Sequence, residues 1–257
     1  SAGRPLPFSV EVVNRFTVAT DQPVQIIPAR PDVPWRYVDL VDLESGDVVE
    51  QVAQLRAAER AAVAQLADEP AVRVALIRTA ENEHRFVFTN HHIVLDGWSL
   101  PILLQEIFAS YRGDRLPSAA PYRGFVTWLA DRDGDGARAA WAEVLAGFDT
   151  PTLVSPTNRA SPGRRGLRSF HVTEDVTRAL GELARSCQTT VSTVLQGAYA
   201  RVLMSLTGQD DVVFGTTVSG RPPEVPGVDS MVGLFINTVP VRARITATPP
   251  AIDLVKQ

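Results

Sequence analysis

"FTNHHIVLDGWSLPILLQ", Phe88–Gln105, places two of the chain's four histidines side by side. Asp96 follows His92 at a spacing of four, and Gly97, Trp98 and Ser99 come directly after it. The β-rich run "HRFVFTN" (His84–Asn90) leads into the pair, and an apolar pattern of helical spacing leads out. In that pattern Ser99 is placed to cap a helix with Pro101 in its first turn. Leu103, Leu104, Ile107, Phe108 and Tyr111 form its expected buried stripe, and Gly113 its expected stop. The histidines therefore sit where a strand hands over to a helix. Neighbours on an extended backbone point to opposite sides, so His91 and His92 cannot both face one cavity. Either one works and one is packed, or both are packed.

The residue types narrow the chemistry further. Adjacent histidines rarely chelate one ion, and neither a helical His-Glu-x-x-His nor a cysteine set is present, so no metal is expected. Ser99 lies in "DGWSL" rather than in a G-x-S-x-G elbow, which argues against a serine hydrolase. What remains is a histidine acting on a substrate that brings its own nucleophile, with an aspartate close enough to orient the loop. The N-terminus of the following helix offers partial positive charge where an oxyanion could form.

Upstream, "VRVALIRT" (Val72–Thr79) and His84–Asn90 read as adjacent antiparallel strands joined by the polar turn Ala80 to Glu83. A helix is predicted from Asp47 to about Ala67, on the spacing of Val48, Val52, Leu55, Ala58, Ala62 and Leu66. Before it, a strand ends at Ile27, and the proline-punctuated stretch "PARPDVPWRYVDL" is not helical. Downstream come two helical stretches containing Trp128 and Trp141, then the Gly/Pro/Ser/Thr-rich segment Gly147 to Gly166. That segment is the expected linker, so the predicted organisation is an N-terminal lobe 1–146, a linker 147–166 and part of a C-terminal lobe 167–257. The second lobe should hold a short strand at Ser169 to Val172 and a helix capped by Thr173 with Val176, Leu180, Leu183 and Cys187 inward. A further helix from Thr190 to Thr207 is closed by Gly208, and strands follow at Val212 to Val218 and Thr238 to Thr246.

The 257 residues are 45% hydrophobic and 21% charged, the balance of an ordinary globular protein with enough apolar material for a real core. A net charge of -4 and the lack of a basic run with interleaved aromatics exclude nucleic acid as an expected partner. The single cysteine, Cys187, reads as a buried structural thiol. No stretch approaches the length needed to span a bilayer, and the expected location is the cytoplasm.

"HHIVLDG" is similar to the His-His-x-x-x-Asp-Gly signature of condensation domains in nonribosomal peptide synthetases, within the chloramphenicol acetyltransferase-like superfamily. "YRGFVTW" (Tyr122–Trp128) resembles the family's tyrosine-to-tryptophan motif, and "VGLFINTVPVR" (Val232–Arg242) its Gly-x-Phe-x-Asn-Thr-x-Pro-x-Arg segment. "VVFGTTVSGRPPEVPGVDSMVG" resembles the strand and Gly-Arg turn before that segment, and "DQPVQII" (Asp21–Ile27) fits the region preceding the catalytic lobe's first long helix. Family domains are longer, and counterparts of their opening motifs are not visible here, so the chain reads as an incomplete condensation domain. The resemblance implies an α/β (α+β) two-lobe fold, mixed sheets flanked by helices, with an active-site tunnel between the lobes.

It also implies a reaction. The amine of a carrier-bound acceptor aminoacyl thioester attacks the carbonyl of a carrier-bound donor thioester. The domain binds no cofactor of its own, and phosphopantetheine arms of upstream donor and downstream acceptor carrier domains deliver the substrates beside an adenylation domain. By the resemblance His92 is the functional histidine, as general base or as a positioning group, and His91 is structural. Asp96 holds the loop through an ion pair, with Arg221 as the first candidate partner and Arg242 the second. Gly97 keeps the tunnel wall clear or serves the turn. Trp98, Ser99 and Asn237 are candidate tunnel-lining residues, and Tyr122 and Trp128 are structural.

Other readings within the superfamily are an epimerisation-type domain, a catalytically silent domain that recruits a partner, and a CoA-dependent acyltransferase. The intact histidine pair disfavours the silent domain and a heterocyclase, and the Asn-Thr-x-Pro segment disfavours the CoA-dependent enzyme. "DGWS" and "PTLVSP" resemble a condensation domain that accepts an L-configured donor.

Overall fold

The computed structural model describes residues 15–19, 22–27, 32–67, 69–154 and 168–245. Residues 155–166 of the expected linker lie outside this set, as does Thr246. The described residues group into two compact units. One runs up to Arg132 and includes Ser219–Ile236; the other holds Asp133–Val218 and the chain from Asn237. This grouping differs from a cut at 147–166, because the helix containing Trp141 falls in the second unit and the 219–236 segment in the first. The latter has a physical reason: Val225, Val228, Met231 and Phe235 are buried in one cluster with Phe125, Tyr122 and Trp128.

In the first unit, β1 (Arg15–Ala19) and β2 (Gln22–Ile26) pair antiparallel, so the strand expected to end at Ile27 is the second arm of a hairpin. The main sheet has β3 (Trp35–Asp39), β4 (Val72–Ala80) and β5 (Glu83–Asn90) in that order. β4 lies in the centre, parallel to β3 and antiparallel to β5, as the polar turn predicts for the latter pair. Its apolar run is explained by burial on both faces. Ile77 packs with Leu40, Val48, Val52 and Leu55 beneath α1 (Ser45–Val63), whereas Val72 and Val74 on the alternate face pack with Leu103 of α2 (Ser99–Tyr111).

Two stripes differ from expectation. The inward face of α1 continues from Leu55 through Glu59 and Val63, not Ala58 and Ala62, because the Glu59 carboxylate is held 2.5 Å from Arg73 of β4. On α2 only Leu103 of the expected stripe is fully buried, and Tyr111 is 87% exposed. The short α3 (Arg123–Ala130) follows, and its Phe125 lies 4.7 Å, ring to ring, from Phe235.

The second unit comprises α4 (Gly134–Val144), α5 (Glu174–Ser186), α6 (Val191–Thr207) and the antiparallel pair β6 (Asp211–Val218) and β7 (Asn237–Arg244). Thr173 and Thr190 cap α5 and α6 through side-chain oxygens, and Gly208 ends α6 in the left-handed region at φ 71°. Ala200, Leu203, Met204, Val212 and Ala243 form its core. Ser169 to Val172 form no strand; a lone strand would leave its amides and carbonyls unpaired, and none of the described strands joins it. On α5, Ala184 and Cys187 are buried, while Val176 and Leu183 of the expected stripe are exposed.

Candidate active site

The histidine pair lies past the end of β5, on a turn rather than on extended strand. His91 N–H donates to Ala71 O (2.8 Å), and Val94 N–H returns to His91 O (3.2 Å), closing the turn over residues 91–94. The His91 side chain serves the same turn, its Nδ1 accepting from Ile93 N–H at 3.1 Å. His92 occupies the next position in the turn and is exposed. Its imidazole makes no hydrogen bond or ion pair with any described residue.

Asp96 is the opposite case. It is 1% exposed, and both carboxylate oxygens accept backbone hydrogen bonds: Oδ1 from Ser99 N–H (2.8 Å) and Oδ2 from Phe235 N–H (3.0 Å). Arg221 Nη2 lies 3.6 Å from Oδ1, making Arg221 the arginine paired with Asp96. Arg242, the second candidate, is instead committed to Asp211 at 2.6 Å and to the carbonyls of Val144 and Ala146. Burial pushes the Asp96 carboxyl up, but the hydrogen bonds from Ser99 and Phe235 and the Arg221 charge outweigh it. The group ends below the ordinary carboxylate value and stays ionised.

The Arg221 side chain is also nearly inaccessible, 6% exposed. Its Nη1 donates to Val228 O and to Met231 O (3.1 Å), its Nη2 to Ser99 Oγ (2.8 Å), and its guanidinium lies 3.9 Å from the centre of the Phe235 ring. Tyr122 closes the arrangement at the start of α3, its hydroxyl donating to Leu234 O. Burial first, and the Asp96 charge second, push that phenol up to about 12, so it remains a donor at neutral pH.

Two expectations are corrected here. Ser99 is not the helix cap and does not line an open space: it is fully buried inside the first turn of α2, and Asp96 provides the cap. The N-terminus of α2 is also not available to an oxyanion. Ser99 N–H is taken by Asp96 Oδ1, Leu100 N–H by Asp96 O, and Pro101 has no N–H. Asn237 is exposed at the start of β7 in the second unit, with its Oδ1 accepting from Thr238 N–H.

Trp98 is 64% exposed. Gly97 is exposed in ordinary backbone conformation, and a methyl group there would meet no atom. Neither the turn nor packing therefore requires glycine at that position. Gly233, by contrast, is a participant that sequence reasoning missed. An added Cβ would overlap the Tyr122 ring, and both its backbone groups bond to the 96–99 loop.

A buried carboxylate-arginine pair thus supports a turn that presents one unpartnered imidazole. A family model for the condensation domain matches residues 14–257, and the chain belongs to that family, the condensation domains of nonribosomal peptide synthetases. It is 36% identical over 246 residues to bacitracin synthase 3 of Bacillus licheniformis, covering 92% of this chain and 4% of that protein. Among solved structures it resembles the first condensation domain of the calcium-dependent antibiotic synthetase, with a TM-score of 0.65 and 22% identity over 98% of this chain and 62% of that one. It also resembles the epimerization domain from the third module of tyrocidine synthetase B, with a TM-score of 0.71 and 19% identity over 96% of this chain and 60% of that one. The fold is the α/β chloramphenicol acetyltransferase-like fold. Among the described residues no helix is long and apolar enough to cross a membrane.

Proposed function

We propose that this chain carries the active loop of a domain that forms an amide bond between two carrier-bound substrates. The donor is an acyl or peptidyl thioester and the acceptor the α-amine of an aminoacyl thioester, each presented on a phosphopantetheine arm of a neighbouring carrier domain. The observation that carries this reading is the isolation of His92. Its imidazole is solvent-facing and free of partners among the described residues, while the Asp96 carboxylate and Ser99 hydroxyl that support its loop are buried and satisfied.

The chemistry suits one histidine. A thioester is an activated carbonyl, and an α-amine with a reference pKa of about 7.7 to 8.0 is partly neutral near pH 7. The site must align the two groups and handle one proton as nitrogen attacks, the C–N bond forms and the thiolate departs. His92 is the residue in place to take that proton from the ammonium formed, or to hold the amine as it attacks. Asp96 takes no part in proton transfer, because both its oxygens are occupied and it is held ionised. Its role is to fix the loop through Arg221.

The capped N-terminus of α2 leaves the tetrahedral oxyanion to be steadied by groups other than that helix. The test is single-turnover transfer between a loaded donor carrier and a loaded acceptor carrier, wild type against His92→Ala, in the multidomain protein. A drop of about 10² to 10⁴ is expected if His92 is the base. A drop below about tenfold would assign it to positioning, and no product from folded wild type with several substrate pairs would overturn the reading.

A further inference from the structure

Ser99 has a hydroxyl whose whole hydrogen-bonding capacity is in use. It donates to Gly233 O (2.7 Å) and accepts from Gly233 N–H (3.1 Å) and from Arg221 Nη2 (2.8 Å), one donor and two acceptor sites all filled. Asp96 works in the same place: its N–H donates to Gly233 O (3.1 Å), and its Oδ2 accepts from Phe235 N–H. Residues 96–99 and 233–235 are therefore joined by a short ladder in which two side chains replace backbone groups. Asp96, Ser99, Gly233 and Phe235 are all buried, and the serine is at the centre.

The ladder matters to His92 for a geometric reason. With no partner for its imidazole among the described residues, His92 is located only by its backbone, and that backbone is tied to the rest of the fold on both sides. Upstream, His91 N–H is bonded to Ala71 O at the edge of β4. Downstream, the next hydrogen bonds leading out of the loop are those of the ladder at Asp96 and Ser99. We infer that Ser99 is a positioning residue for His92, holding the downstream end of the 91–98 loop against Gly233 and steering Arg221 toward Asp96. This rests on the reading of His92 given above. It assigns a positioning role to a residue that touches no substrate.

The experiment uses the full 257-residue chain, labelled at histidine, and follows imidazole signals by NMR in wild type, Ser99→Ala and Ser99→Thr. His84 and His171 are internal controls outside the loop. The expected result is that Ser99→Ala keeps its helical circular dichroism, shifts or broadens the His92 signal, and leaves those of His84 and His171 in place. Ser99→Thr, which keeps the hydroxyl, should restore His92 at least in part. Unchanged His92 signals in folded Ser99→Ala would overturn the proposal, even if Gly233 amide exchange accelerates, since Ser99 would then be structural only.

Should Ser99→Ala fail to fold, Ser99→Cys, a weak donor and acceptor of similar size, takes its place with the same two outcomes. In the multidomain protein the same variants should lower kcat by about tenfold or more with acceptor KM within about twofold, and Ser99→Thr should recover part of it. The NMR result stands whether or not the domain condenses anything, so a failure of the catalytic reading and a failure of this one are separable.

Discussion

Asp96 and His92 lie four residues apart and obey opposite rules. The carboxylate is buried, so its energetics are those of a desolvated charge that must keep its partners. Asp96→Ala removes the carboxylate that pairs with the Arg221 charge and leaves the amides of Ser99 and Phe235 unmatched. A loss of about 3–5 kcal/mol is expected, read by urea unfolding. Asp96→Asn should also be destabilising, because its amide NH2 must face an N–H donor at one of the two oxygen positions. The pH dependence has a definite sign. The folded Asp96 carboxyl is depressed, so its stabilisation is complete above the unfolded value of about 3.9 and is lost as pH falls below it toward the folded one. Acid unfolding of wild type should be steeper than that of Asp96→Asn across that window. His92→Ala, at an exposed and unpartnered position, should leave the melting temperature within about 2 °C while lowering transfer.

Secondary structure carries these residues to their places. α2 is attached to the sheet chiefly through Leu103, which is fully buried against Val72 and Val74 of β4. Leu103→Ala should cost about 2–5 kcal/mol, checked by the shift in urea midpoint at constant slope, and should displace the ladder at the N-terminus of the same helix. In the second unit, Thr190 caps α6 with its side chain accepting from Thr193 N–H at 3.2 Å. Thr190→Ala should cost only about 1 kcal/mol there and leave the His92 loop untouched, a control for nonspecific destabilisation.

Across the molecule, Ser219–Ile236 belongs with the first unit although it lies between two strands of the second. Its attachment depends on close approach. Gly233 has the Tyr122 ring where a Cβ would go, and within the segment itself Gly220 has the carbonyl of Phe235 there. Gly233→Ala and Gly220→Ala should each destabilise by about 1–3 kcal/mol or more, because neither a packed ring nor backbone can retreat cheaply. Gly97→Ala meets open space and ordinary backbone, so its melting temperature should be unchanged. If the proposed function is right, the added methyl should nevertheless slow transfer, since the space beside Gly97 would then belong to substrate. Thermal melts and single-turnover transfer on the three variants separate these outcomes.

Local periodicity made β4, β5, α2, α5 and α6 legible in the sequence, together with the Thr173 and Gly208 caps, because strand alternation, helix spacing and capping act over a few residues. The family followed from several such motifs occurring in order. The role of Ser99 could not be read that way. A serine before an apolar helix looks like a cap, and its actual partner, Gly233, is 134 residues further on. Only folding brings the two together, just as it commits Arg242 to Asp211 and leaves Arg221 to Asp96. Which residues can donate and accept is written in the chain, but which of them are buried against each other depends on how the core closes.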